Sequence, residues 1–126
     1  MYSSFSLDLG DAKAIAAACL ASAHAQGVAV SIAVVDGAGQ LLQFSRMDGA
    51  RGFSVDLATK KARAAAHVGV PTAIIAAMSG PGADAVKAGG LPILHEGHCV
   101  GAVGISGART AVDERIAADG IAAFGT

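Results

Sequence analysis

Side chains able to do chemistry are few in this 126-residue chain, and a dense cluster of them stands between residues 46 and 63. Arg46-Met47-Asp48-Gly49-Ala50-Arg51 closes an apolar strand pattern just ahead of a helical one. A guanidinium there offers a planar fork of donors matched to a carboxylate, and the helix start near Gly52-Phe53-Ser54 adds N–H groups suited to the same anion. The plainer reading is an Arg46–Asp48 salt bridge that fixes the turn. Lys60-Lys61-Ala62-Arg63 brings further cations on the next helix. At about 100° per residue Lys60 and Arg63 share a side, whereas Lys61 falls near the apolar line of Phe53, Leu57 and Ala64. A lysine in that position either snorkels its ammonium to water or moves protons.

Other candidates lie further along the chain. His67 and His24 stand near helix ends, where an imidazolium complements the dipole, and an imidazole also binds haem iron. Gly89-Gly90-Leu91-Pro92 precedes a strand, so successive N–H groups either cup an anionic oxygen or simply make a tight turn. Gly101, Gly104 and Gly107 lie mostly within a strand, not between the strand and helix of a parallel unit, and are read as places of close approach instead of a phosphate loop. His95-Glu96-Gly97-His98-Cys99 reads as a polar hairpin tip, with no second cluster to complete a zinc site. No serine has a convincing base, and no two carboxylates are spaced for glycosidase work. No metal site is expected. A site built from this inventory would use Lys, Arg, His and backbone donors on a small organic anion.

The elements that must position these groups are legible from periodicity. Asp8, with Asp11 three residues on, caps a helix carrying Ile15, Ala18, Cys19 and Ala23 and ending at Gly27. Val28 to Val35 is a β-branched run with both faces apolar, so it is a covered central strand. Asp36-Gly37-Ala38-Gly39 turns it into a return strand over Gln40 to Met47. A helix from Gly52 to His67 breaks at Val68-Gly69-Val70-Pro71, and Thr72 caps a shorter helix from Ala73 to Met78. A second hairpin joins Pro92–His95 to His98–Ile105 through Glu96-Gly97, and a last helix spans about Arg109 to Phe124. Hairpins joined by helices make one α+β domain over 1–126, an antiparallel sheet flanked by helices.

Composition sets the outer bounds. The chain is 53% hydrophobic and 15% charged with a net charge of −1, which excludes disorder and leaves no footprint for nucleic acid or an anionic membrane surface. Thirty Ala and 17 Gly stand against one Tyr and no Trp, so elements approach closely or burial is gained by association with further copies. Two cysteines make no disulfide scaffold, no signal-peptide pattern opens the chain, and the uncharged run from Ala64 to Ala83 is broken by Pro71 and Pro81. A cytoplasmic protein without membrane spans is expected.

The ensemble resembles the GlcG/HbpS family of haem-binding or haem-degrading domains, which includes the C-terminal domain of PduO. The resemblance is carried by Val30 to Asp36 with Gly37-Ala38-Gly39, by Arg46 to Ala50, and by Ala58 with Lys61-Ala62. It continues through Pro71-Thr72, Gly89 to Ile93, Val100 to Gly107, Asp113 and Ala118-Asp119-Gly120. It implies a profilin-like α+β fold with a five-stranded antiparallel sheet, symmetric homo-oligomers from dimer to octamer, and haem or tetrapyrrole binding in some members. Arg46, Asp48, Lys61, Gly90 and Pro92 are motif positions. The usual threonine or tyrosine after the Lys-Ala pair is Arg63 here, a bulky cation beside a ligand that carries propionates.

Three functions follow as expectations. The first is an oligomeric binding protein that holds haem or a small anion near Arg46, Asp48, Lys61, Arg63, Gly89, Gly90 and Pro92, with His67 as axial ligand. The second is a cofactor-free enzyme, a hydrolase, deaminase or tautomerase, in which Arg46 grips an unsaturated carboxylate while Lys61 or His67 moves protons. The third is a bare assembly module.

Overall fold

The computed structural model describes residues 6–80, 82 and 86–125. The elements run α1 (Leu9–Ala25), β1 (Ser31–Asp36), β2 (Leu41–Arg46), α2 (Ser54–Val68), α3 (Thr72–Ser79), β3 (Gly90–His95), β4 (His98–Ser106) and α4 (Thr110–Phe124). The strands form an antiparallel sheet in the order β2-β1-β4-β3. The described residues thus hold four strands where the family resemblance implies five.

Local chemistry accounts for most boundaries. Asp8 accepts from the Asp11 amide at 2.8 Å and Asp11 accepts from the Asp8 amide at 3.1 Å, a reciprocal capping box that starts α1. In the first hairpin the Asp36 carboxylate accepts from the amides of Ala38 and Gln40, at 2.9 and 3.0 Å. The second turns through Glu96 and Gly97, both at positive φ. Thr72 is not the cap expected of it. Pro71 occupies that position, and the Thr72 hydroxyl faces the chain before β3.

Burial divides the sheet into two unlike faces. On one, α1 and α4 pack Ile15, Cys19 and Ile116 against Ile32, Val34, Val103 and Ile105. On the other, α2 meets Ala33, Val35 and Ala102 with Ala58, Ala62, Ala65 and Ala66. Small residues on both partners bring the helix backbone onto the strand. A β-carbon at Gly104 would collide with the Ala58 carbonyl and the Ala62 amide. The same logic brings α1 and α4 together, because Gly120 leaves room for Cys19 Sγ. This close seating of α2 carries Lys61 into the interior.

Candidate functional site

Lys61 does not snorkel. It lies on the buried line of α2 with Ala58, Ala62 and Ala65, and only 4% of its surface is exposed. Its Nζ donates to the Ile105 carbonyl at 2.8 Å and to Asp113 Oδ2 at 3.3 Å. Asp113, 1% exposed, sits in the first turn of α4 and accepts from the Ala108 amide at 3.0 Å through its other oxygen. Burial holds the Lys61 ammonium below its ordinary pKa, opposed by Asp113 and reinforced by Lys87. Burial likewise raises the Asp113 carboxyl, opposed by Lys61 and by the Ala108 amide.

The glycine pair makes this arrangement possible. A β-carbon on Gly89, at φ 130°, would lie 2.7 Å from Lys61 Nζ and 2.6 Å from the Ile105 oxygen. One on Gly90 would lie 2.5 Å from the Lys61 carbonyl. Gly90 is therefore no anion cup: its N–H donates to Thr72 Oγ1 at 2.9 Å, and that hydroxyl donates to the Lys87 carbonyl at 2.6 Å. Thr72 pins the segment that carries Lys87 over Lys61.

Above the pair opens a cavity of about 390 Å³. Phe53 at the N-cap of α2, Leu57 within it and Val86 line the cavity with apolar surface, and Lys60 and Lys87 bring two further ammonium groups. Ser106, Thr110 and the start of α4 complete the lining. Such a chamber suits an organic anion with an apolar body, its charge toward the lysines.

The remaining sequence candidates stand elsewhere. Arg46 and Asp48 line a second cavity of about 320 Å³ with Leu20, His24, Ser45 and Met47. There Arg46 Nη1 donates to the Ala50 carbonyl at 3.3 Å, a backbone contact in place of the expected pairing with Asp48. Arg63 is exposed on α2. His67, about 9 Å further along the same helix axis by its six-residue separation, packs against Gly39 of the first hairpin. Pro92 lies within β3, where a missing N–H is tolerated because β3 is an edge strand. It lines a third, apolar cavity of about 470 Å³ with Leu91, Leu94 and Ile121. Among the described residues no three His, Cys, Asp or Glu side chains converge as a metal ion would need.

Asp113 is the residue that motif reasoning passed over as a site group. Its signal was present: Asp113, Ile116, Ala117 and Gly120 form the buried line of α4, so an acid sits on an apolar stripe just as Lys61 does on α2. Two opposite charges on buried lines of different helices point to each other.

Comparison with known proteins agrees with this architecture. The family model described as haem degrading protein HbpS-like matches residues 7–122. An uncharacterised 15.0 kDa protein from the dhaT–dhaS intergenic region of Citrobacter freundii is 32% identical over 130 residues, covering 94% of this chain and 92% of that one. Among solved structures, HbpS superposes with a TM-score of 0.88 at 33% identity, covering 100% of this chain and 95% of its own. The Klebsiella pneumoniae protein ORFY gives 0.86 at 29%, covering 100% and 97%. PduOC, solved as its haem complex, gives 0.86 at 28%, covering 94% of both chains. Matched from Leu7 to Ala122 by that model, and similar over nearly their whole length to these relatives, the chain belongs to the HbpS-like family.

Proposed function

We propose that this protein is a binding protein for organic anions with an apolar body, and that its primary site is the cavity above Lys61 and Asp113. The carrying observation is the lining itself: Phe53 and Leu57 supply a hydrophobic wall, Lys60 and Lys87 supply cations, and the buried pair forms the floor. Small aromatic or unsaturated carboxylates fit these dimensions. Thermal-shift titration with benzoate tests the reading. A rise in melting temperature that is weakened in Lys87→Ala supports it, and an unchanged melting temperature at saturating benzoate sinks it.

Haem is the second reading, favoured by a specific observation and by the haem complex of PduOC. The primary cavity suits propionates, yet none of its described lining residues is His, Cys, Met or Tyr, so among them the iron finds none of its usual protein ligands. The second cavity differs, because His24 and Met47 line it beside Arg46. His24 would hold the iron and Arg46 a propionate, so the axial role moves from His67 to His24. Haem bound there supplies redox and oxygen chemistry of its own; the chain contributes its position and charge. Haemin titration distinguishes the sites: a Soret shift abolished by His24→Ala and retained in His67→Ala is expected.

Self-association completes the proposal. Leu94 of β3 and Ile74 and Met78 of α3 are exposed, and Leu94 borders the apolar third cavity. A cytoplasmic homo-oligomer, from dimer to octamer, would cover this surface. No helix among the described residues is long and apolar enough to cross a membrane.

A further inference from the structure

A buried ammonium–carboxylate pair is a poor stabiliser, since each charge loses its water and the attraction at best repays that cost. The Lys61–Asp113 pair is also expensive to accommodate, because both Gly89 and Gly90 are required for its backbone surroundings. The pair is buried, yet it borders a chamber whose rim carries Lys60 and Lys87. Lys61 Nζ spends one N–H on the Ile105 carbonyl and one on Asp113. Transfer of that second proton to Asp113 leaves a neutral amine whose lone pair first faces the Asp113 O–H; a turn about Cε–Nζ keeps an N–H on Ile105 and frees the lone pair in the third direction. Burial and the neighbouring Lys87 ammonium both favour this neutral form, as in other nucleophilic lysines beside cations.

We propose that Lys61 is a carbonyl-reactive amine that forms an imine with a small 2-oxo or aldehyde acid held in the cavity, with Asp113 relaying the proton. The carboxylate of that ligand pairs with Lys87 or Lys60. The Lys61 nitrogen forms a bond to the carbonyl carbon as the carbonyl π bond breaks, and a proton passes from nitrogen to the oxygen. Asp113 then returns the proton it took, the oxygen leaves as water, and the nitrogen closes a C=N bond. The ammonium and carbonyl thus become an iminium and one water, with charge conserved and Asp113 restored as carboxylate. No redox partner is needed. The proposal rests on the cavity being the anion site, and it extends that reading from binding to covalent chemistry.

Reductive trapping tests it on the full chain. Glyoxylate with sodium cyanoborohydride delivers hydride to the iminium carbon and leaves a stable carboxymethyl group, located by peptide mass mapping. Lys61 is expected to label saturably and about tenfold or more faster than Lys13, an exposed lysine of α1. Label confined to Lys13, Lys60 and Lys87 overturns the proposal. Asp113→Asn should slow trapping at Lys61 about tenfold and change its pH profile. An unaltered profile removes Asp113 as the relay. Benzoate, which cannot form an imine, separates this from the binding reading. If benzoate raises the melting temperature while Lys61 stays unlabelled, binding stands and imine formation falls. If Lys61 labels while benzoate does nothing, the imine stands and the broader binding reading falls.

Discussion

An ammonium and a carboxylate 3.3 Å apart, one 4% and the other 1% exposed, have exchanged their hydration for each other. Removing one partner strands the other, so Lys61→Met should cost about 3–5 kcal/mol in denaturant unfolding. The double replacement Lys61→Met/Asp113→Leu should recover most of that loss. The single variant also acquires a pH signature. Stranded Asp113 keeps a raised carboxyl pKa, so the folded state binds a proton that the unfolded state has released. Stability of Lys61→Met should therefore fall as pH rises from about 4 through the raised value, with the protein firmest in acid. Midpoints that stay flat across that range would contradict it. Cys19 illustrates the opposite case: burial, with Asp119 nearby, pushes its thiol up to about 12, and it packs in the core.

Elements act here through how closely they approach. Because α2 rests on β4 through alanine and Gly104, any side chain at 104 wedges the helix outward. Gly104→Ala should destabilise by about 1–3 kcal/mol through overpacking and weaken benzoate binding with it, since the same helix carries Leu57 and Lys61 and is preceded by Phe53. Thr72 is the other joint. Thr72→Val keeps the volume but leaves the Gly90 amide and Lys87 carbonyl without that hydroxyl, at a cost of about 1–3 kcal/mol. Faster hydrogen exchange of the Gly90 amide, with that of β1 unchanged, is the expected result.

For the whole molecule, the unlike faces of the sheet matter most. Bulky residues pack beneath α1 and α4, alanines beneath α2, and Ile74, Met78 and Leu94 stand exposed on α3 and β3. Pro92 denies β3 one ladder donor, which disfavours strand addition along this edge and leaves face packing as the route to assembly. Leu94→Asp should shift the proposed oligomer to smaller species by light scattering without altering far-UV dichroism. A particle of unchanged mass would place the contact elsewhere.

Periodicity and local capping by themselves determined the elements of this protein. The Asp8–Asp11 box, the two hairpins and the breaks at Gly69 and Gly27 depend on neighbours within a few residues, and the alternation in β1 announced a strand covered on both sides. The line read through Phe53, Leu57, Lys61 and Ala64 was not the buried one: Phe53 and Leu57 are exposed, and Lys61 is buried with Ala58, Ala62 and Ala65. Asp113 was legible as an acid on the buried line of α4, but that it meets Lys61 was not, because the two lie 52 positions apart and come together only in the assembled fold. For the same reason residues close in sequence part company: Arg46 and Lys61 line different cavities, and His67 faces a hairpin turn. Thr72, suited to cap a helix, instead ties down the chain before β3, since tertiary packing offered its hydroxyl two backbone partners. Local interactions choose elements. Which charges share a cavity is decided by contacts between distant segments, and those exist only once the sheet and its helices have assembled.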